Sequence, residues 1–566
     1  MRWDLLSRYI LTSPLLRHTV FFSWSVAAGL AFGYSIPPKL FPGIEWIGFV
    51  PFLLLLLFPM KRGALFFYGG ISFSVATALY TSWMLDAYPL SWLNLPDSWS
   101  SFLLTLGAWF AVFSVPGLAG GIFLVVAKKL LRNNFLDVIR LGLLIAAMDY
   151  IRTFLAAWHP FLLGSGSIYG DNWATNILGY SIAEYDALRQ LSSIGGLYFL
   201  SFIALLPSAL IFLWLRAFRQ NGAAVFSSPG SARTEIYASF LVAILFGIFI
   251  IGGHALAGWW YTPESTLQVA VVSSNFTPED WLVSGFPARS SNILTELIRQ
   301  AARADSPADV ILLPEGSALA ATTAPDIASY GPVVQSLTGG REGQLLVNLF
   351  PRSYPDGSGR PATNDIYVLE ASGATLGAYA KQFLMPFGEY MPYVFDKVGR
   401  LAGFSQWLDH QAGPSYTSGK EHNGVFKTRL GSLGILGCSE IISPYVSRIA
   451  VKNGAEVLLY TASIGILRGS ERLRAQNLAI AQIRAAETRR FVAYATNGGH
   501  SFFVGPDGTV LWENPAVAPG VKMVEARTNA VLTPAVKYEN WFSFFAIAAL
   551  LADGAYTAVA RRRGAL

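Results

Sequence analysis

Apolar residues are distributed unevenly along the 566-residue chain. They run almost unbroken through long stretches of the first 260 residues. They then give way to short apolar runs separated by polar ones, and return after Asn540. A bilayer crossing takes about 20 mostly apolar residues. Seven such runs come first, near 18–36, 44–59, 64–85, 101–127, 136–156, 194–215 and 236–259, and an eighth lies near 541–560. The pattern predicts three parts: a membrane domain over 1–261 with about seven spans, a domain over 262–535, and a closing span with a basic tail over 536–566.

The middle part alternates two periods. "TLQVAVVSSN" (266–275), "ADVILLPEG" (308–316), "GQLLVNLF" (343–350), "DIYVLEASGATLGAYAKQF" (365–383), "GSLGILGC" (431–438) and "NGAEVLLYTAS" (453–463) read as short strands. "NILTELIRQAARA" (292–304) and "RLRAQNLAIAQIRAAETRR" (472–490) read as helices, and 491–513 as a strand pair joined by a Pro-Asp-Gly turn. Strands interleaved with helices, all with apolar faces to cover, predict an α/β sandwich.

Composition agrees with this division. The chain is 53% hydrophobic and 13% charged, against about 25% charged in soluble domains. The net charge of +6 comes largely from short basic clusters beside apolar runs, a pattern of membrane topology and not of nucleic-acid binding. Arg2, Arg8 and Arg17, Lys61 and Arg62, Lys128, Lys129 and Arg132, Arg216, Arg219 and Arg233, and Arg561–Arg563 fall in every second loop and at the two ends, all on one side of the spans. The intervening loops are nearly free of Lys and Arg and carry Tyr88, Trp92, Trp99, Trp158, Tyr169 and Trp173. The positive-inside rule then places the N-terminus and tail in the cytoplasm and residues 262–535 outside. The fifth run carries Asp137, Arg140, Asp149 and Arg152, and the eighth Asp553. Such charges either pair within a bundle or mark a polar functional site.

Candidate chemistry gathers at strand ends. Cys438, the one cysteine, follows "GILG" and is either a small core residue or a nucleophile. Glu315 follows "VILLP" and could equally cap a helix; Lys381 follows "GAYA" and could be a solvated strand end. Taken together, the three supply thiol acyl transfer: a carboxylate to accept the thiol proton, a lysine to lower the thiol pKa and stabilise an oxyanion, and a thiolate to form a thioester. The six scattered histidines show no metal-ligand spacing, and there is no phosphate-loop, dinucleotide or GxSxG pattern.

"LLPEGS" (312–317), "KQFLMPFGEYMP" (381–392) and "GCSEI" (437–441) resemble the nitrilase superfamily. With flanking spans the chain is similar to the apolipoprotein N-acyltransferase family. "SSNFTPEDW" (273–281) and "AQIRAAETRRFVAYATNGGHS" (481–501) add to the likeness. The resemblance implies a polytopic α-helical bundle of about eight spans carrying an αββα nitrilase-like sandwich. It implies Glu315 as general base, Lys381 as oxyanion stabiliser and Cys438 as acyl-accepting nucleophile. Glu389 and Glu440 would support the lysine and the site geometry, with Ser439 and Tyr390 beside them and Trp281 on a loop near the lipid entry.

It further implies a phospholipid acyl donor, the N-terminal α-amine of a diacylglyceryl-cysteine lipoprotein as acceptor, no metal or cofactor, a monomer, and the bacterial cytoplasmic membrane with the sandwich on its outer face. The chain departs from the family pattern at "TASIGILRGS" (461–470), where an acidic, aromatic run is usual. Ser439 replaces a common aromatic, Asp149 replaces a Glu, and 156–166 matches only loosely. Alternatives compatible with the same residues are a membrane-tethered amidase using water, an acyltransferase to another acceptor, and a non-catalytic membrane scaffold.

Overall fold

The computed structural model describes residues 13–563 except 94, 158–169, 223–231, 282, 305, 318–329, 353–361, 387, 402, 404, 406–407, 409–415, 420–423 and 515–517. Trp158, Tyr169 and most of the 156–166 stretch lie outside the described residues.

The membrane part is built from α1 (Pro14–Gly33), α2 (Arg62–Tyr80), α3 (Trp99–Leu130), α4 (Asp137–Ala157), α5 (Ser192–Asn221) and α6 (Arg233–Leu256). Gly69 of α2 lies where a Cβ would stand 2.8 Å from the Gly120 carbonyl of α3, and Gly121 meets the Phe66 carbonyl in the same way. Small residues thus bring these two backbones together, as is common where lipid offers no hydrophobic drive for helix association.

Between α1 and α2 the chain does not form one long helix. It breaks into Ile44–Ile47, Val50–Leu54 and a tight turn at Leu55–Leu57. Gly48 sits at the break, where a Cβ would be 1.9 Å from Ser35 Oγ, and Pro51 cannot extend a preceding helix.

The sandwich has twelve strands: β1 (Pro263–Ser273), β2 (Val310–Leu312), β3 (Leu345–Arg352), β4 (Thr363–Glu370), β5 (Thr375–Ala380), β6 (Val425–Thr428), β7 (Gly431–Gly437), β8 (Val457–Ser463), β9 (Val492–Asn497), β10 (Phe502–Val504), β11 (Val510–Glu513) and β12 (Gly520–Asn529). One sheet runs β12-β1-β2-β3-β4-β5, the other β11-β10-β9-β8-β7-β6. Each has three parallel strands at its centre, β1–β3 and β7–β9, with antiparallel neighbours. The single run expected over 365–383 is a hairpin, β4 and β5. Strand alternation explains the layering. Val269 and Val271 join the core shared with the second sheet, while Ala270 and Val272 pack under α7 (Phe286–Arg303) and the helix Tyr330–Thr338. The result is helix, sheet, sheet, helix.

On the outer face of the second sheet, α8 (Glu471–Thr488) lies between sandwich and bundle, and α9 (Trp541–Arg562) closes the chain. Among the described residues, six helices are long and apolar enough to cross a membrane: α1, α2, α3, α5, α6 and α9. The expected eight are therefore not all of one kind: the second is the broken segment, and the fifth is α4, whose charges are paired. Asp137 accepts from Arg140 at 2.8 Å and Arg216 at 2.9 Å, and Asp553 accepts from Arg132 at 2.5 Å and Arg140 at 3.2 Å. These pairs tie α9 to α4 and account for Asp137, Arg140 and Asp553 without invoking a functional site.

Candidate active site

The carboxyl ends of central parallel strands are where open α/β sheets place ligands, and here two such ends meet. β2 runs out through Pro314 into Glu315, whose amide donates to the Ala462 carbonyl of β8 at 3.1 Å. Gly316, at φ +75, turns the chain immediately afterwards, a conformation that suits glycine. β7 ends at Gly437, and Cys438 opens a short 3-10 turn, Cys438–Ile442. Lys381 directly follows β5. Its backbone is held on both sides, donating to the Asn364 carbonyl at 2.9 Å and accepting from the Gly419 amide at 2.9 Å.

Six of the sequence-predicted residues converge here. The Cys438 thiol is partly accessible and has two acceptors in reach, the Glu315 carboxylate and the Ser463 carbonyl at 3.7 Å. Lys381 is 1% exposed and donates to Glu389 Oε2 at 2.7 Å. The same oxygen accepts from the Met385 amide at 2.7 Å, which fixes the "MPFGEY" turn around the lysine. Glu440 is fully buried. Its Oε2 accepts from the Gly437 amide at 2.7 Å, and its Oε1 accepts from Tyr379 at 2.7 Å and from the Gln382 amide at 2.8 Å. Ser439 donates to the Phe383 carbonyl at 2.6 Å. Glu440 and Ser439 thus brace the cysteine turn directly against the lysine segment, and a charged brace of this kind is stronger than a neutral one.

Asn364 was not singled out in the sequence, yet it bridges the two carboxylates. Its Nδ2 donates to Glu315 Oε1 at 3.1 Å and to Glu389 Oε1 at 2.6 Å. Its local signal is weak: an amide between Thr363 and Asp365 at the polar start of β4. Tyr390 is buried in a small apolar cluster with Leu384 and Tyr416, apart from the polar contacts. Trp281 ends the short helix Pro278–Trp281; its side chain lies outside the described residues.

The electrostatics correct one expectation. Burial raises the Glu315 carboxyl above its ordinary range; Lys381 opposes the rise and Glu389 adds to it. Burial also works against the charge on Lys381, but the Glu389 and Glu315 carboxylates outweigh it and hold the lysine above its usual value. Lys381 does pull the Cys438 thiol down, but the net shift is upward. Burial, followed by the Glu315 charge, pushes it up to about 12 against the pull of Lys381. The physical reason is burial of the thiol first, and then the adjacent Glu315 charge, which together outweigh one ammonium. The resting cysteine is a thiol, and a carboxylate next to it is ready to take its proton.

The divergent 461–470 stretch forms the rim. Gly465 packs so closely that a Cβ there would lie 2.6 Å from the Phe276 carbonyl, so a small residue is required. Asn497 stitches this rim to the 273–276 segment: its Nδ2 donates to Ser463 Oγ at 3.2 Å and the Phe276 carbonyl at 3.0 Å, and its Oδ1 accepts from the Phe276 amide at 2.8 Å. Ile464, Leu467 and Leu473 cluster with Trp83 and Ala87 of the loop after α2. Arg468 reaches the Asp86, Tyr88 and Pro89 carbonyls and Glu279. The site therefore opens beside the membrane part. Among the described residues no group of His, Cys, Asp and Glu could hold a metal ion.

Comparison with known proteins agrees with this architecture. Residues 290–532 match the carbon-nitrogen hydrolase family. Apolipoprotein N-acyltransferases are similar over the membrane part as well. That of Synechocystis sp. is 26% identical over 76% of this chain and 78% of its own length. The one from Geobacter metallireducens is 24% identical over 93% and 92%, and the one from Gloeobacter violaceus 24% over 95% of each. Among solved structures, an amidase from Nesterenkonia sp. AN1 matches 49% of this chain and 96% of its own at 18% identity and a TM-score of 0.36. A carbon-nitrogen hydrolase from Helicobacter pylori matches 48% and 91% at 18% identity and 0.34. With several apolipoprotein N-acyltransferases similar over most of its length and a carbon-nitrogen hydrolase match over the sandwich, the chain is a divergent member of the apolipoprotein N-acyltransferase branch of the nitrilase superfamily.

Proposed function

We propose that the protein transfers an acyl chain from a phospholipid, through a thioester on Cys438, to the N-terminal α-amine of a diacylglyceryl-cysteine lipoprotein. The observation that carries this reading is a partly accessible thiol within reach of a buried carboxylate and beside a buried lysine, at a mouth formed partly by the loop after α2. Glu315 takes the thiol proton as sulfur attacks the donor's ester carbonyl. Lys381, aligned by Glu389, stabilises the oxyanion. The ester oxygen leaves with the proton from Glu315, giving a lysophospholipid and the acyl-enzyme. The incoming amine then attacks the thioester, loses a proton to Glu315, and the amide leaves as the thiolate is reprotonated.

Residues 262–535 act as the catalytic domain on the outer face of the bacterial cytoplasmic membrane, and residues 1–261 and 536–566 hold it there as a monomer. The apolar groove between α1, α2 and α3 supports this reading. It has a volume of about 710 Å³, with Phe22, Leu30, Phe66, Trp109 and Phe113 among its walls, and Ser82, next to Trp83, also lines it. Such a groove suits an acyl chain, and a hydrolase of small amides would have no use for it.

The test is intact-protein mass spectrometry of the purified full chain incubated with phosphatidylethanolamine and no acceptor. A fatty-acyl mass on the wild type, released by neutral hydroxylamine, absent from Cys438→Ala and discharged by a diacylated lipopeptide, is expected. Discharge by water at the same rate with or without lipopeptide would favour the amidase-like reading. The absence of any adduct would overturn acyl transfer.

A further inference from the structure

The charged residues at the other end of the bundle are not used by this chemistry. The C-terminal end of α5, the C-terminal end of α3 and the turn at Leu55–Leu57 enclose a pocket of about 360 Å³. Its walls combine Leu56, Leu57 and Phe212 with Lys128, Arg216 and Arg219. α5 places this pocket relative to the sandwich. Gly196, near its start, lies 3.1 Å from Glu487 of α8, measured from the position a Cβ would take. Arg219 follows 23 residues later, about 35 Å further along a helix, and a bilayer's hydrocarbon core is about 30 Å thick. The pocket therefore lies at the membrane surface opposite the sandwich.

Its charge is unbalanced. Asp137 is already shared by Arg140 and Arg216, and Asp553 by Arg132 and Arg140. Neither carboxylate pairs with Lys128 or Arg219. Lys128 donates to the Met60 carbonyl at 3.0 Å, which occupies one of the three ammonium donors. Arg219 donates through one nitrogen to the Leu57 carbonyl and lies over the Phe58 ring. Backbone carbonyls thus orient both cations without neutralising them. Cations above an apolar wall at headgroup depth match a phosphodiester whose first acyl carbons enter the hydrocarbon.

We propose that this pocket binds the headgroup of an anionic phospholipid from the leaflet opposite the reaction. It would hold a lipid that is neither donor nor acceptor, and so anchor the ends of α3 and α5. The proposal is independent of the acyl-transfer reading, because it is read out by lipid retention and not by turnover.

The experiment uses the full chain in phosphatidylcholine nanodiscs titrated with phosphatidylglycerol, with bound lipid counted by native mass spectrometry. The wild type should retain one phosphatidylglycerol in preference to phosphatidylcholine. Lys128→Gln/Arg219→Gln should bind it about 30-fold more weakly. Lys61→Gln/Arg62→Gln, which removes two charges near the same surface but outside the pocket lining, should bind as the wild type does. Equal loss in the two double variants would reduce the effect to a diffuse surface field and overturn the pocket. So would equal retention of the two lipids. Displacement of the lipid by millimolar inorganic phosphate would assign the cations to soluble anions instead. Size-exclusion elution matching the wild type confirms that each variant has folded.

Discussion

Two clusters of buried charge, one between sandwich and bundle and one at the ends of the central strands, differ in charge balance and in access. Between sandwich and bundle, Arg448 contacts Asp171 at 2.9 Å and Glu487 at 3.2 Å, while Arg484 contacts Glu487 at 2.5 Å and the Tyr180 hydroxyl at 2.8 Å. Two cations meet two carboxylates, and all four are buried. At the candidate active site, Glu315, Glu389 and Glu440 surround a single ammonium, Lys381, next to a partly accessible thiol. The balanced cluster is closed and joins two parts of the molecule. The unbalanced one raises both a carboxyl and a thiol above their ordinary pKa values and places them within reach of each other for proton exchange. Burial alone does not distinguish a structural ion network from a reactive one; charge balance and access do.

The sharpest way to break this comparison is to exchange outcomes between the clusters. Cys438→Ala should abolish thioester formation and reduce turnover by at least about 10⁴-fold while leaving the melting temperature within about 2 °C. Arg448→Met should do the reverse: stranding Asp171 should cost about 3–5 kcal/mol, read as a large fall in melting temperature and in yield of folded protein. If Cys438→Ala unfolds the chain, or Arg448→Met leaves it stable, the division between reactive and structural clusters fails.

Glu315→Gln sharpens it further. Turnover should fall about 10²–10⁴-fold as the base is lost. Yet removing the negative charge should lower the thiol pKa, so alkylation by iodoacetamide at pH 9 should become faster than in the wild type. A variant that slows both would assign Glu315 a positioning role only.

The pH profile follows from the same shifts. The active form has Glu315 ionised, and its pKa is raised, so activity falls with acidification at a higher pH than an ordinary carboxylate would give. The thiol at about 12 and the raised lysine place no titration between neutrality and about pH 11. Turnover under donor saturation should therefore rise to a plateau with no alkaline limb in that range. A bell centred near neutrality would point to a preformed thiolate.

The smallest expected effect is at the rim. Arg468→Ala removes hydrogen bonds to three carbonyls and an exposed pair with Glu279, worth about 1 kcal/mol together. It should raise the apparent KM for lipopeptide more than it lowers kcat.

Legibility in the sequence followed the same divide. Glu315, Lys381 and Cys438 were visible because each interrupts an apolar run at a strand end, and Glu389 and Glu440 because each lies in a dense short motif near one of them. Asn364 was not visible. Its role depends on β4 lying between β3 and β5, a pairing that no local pattern encodes. The docking cluster was equally hidden. Arg484 and Glu487 sit three residues apart in an Ala-rich helix and read as an ordinary solvated pair, and only the fold shows both faces of that helix covered. The run at 44–59 has the hydropathy of a span but too little unbroken helix, because Gly48 and Pro51 interrupt it. The direction of the thiol shift required knowing its burial and the carboxylates around Lys381, which come from three separate segments.

The pairing of β1 with β12 has a consequence for how the molecule is made. Val269 lies opposite Val524, and Pro263 opposite Asn529. The first strand of the sandwich therefore waits for its antiparallel neighbour until some 260 residues later in synthesis. Until then β1 has an open edge, able to pair with other chains. That edge is covered only when α9 is about to emerge, so completion of the sandwich and insertion of the last span are nearly simultaneous events.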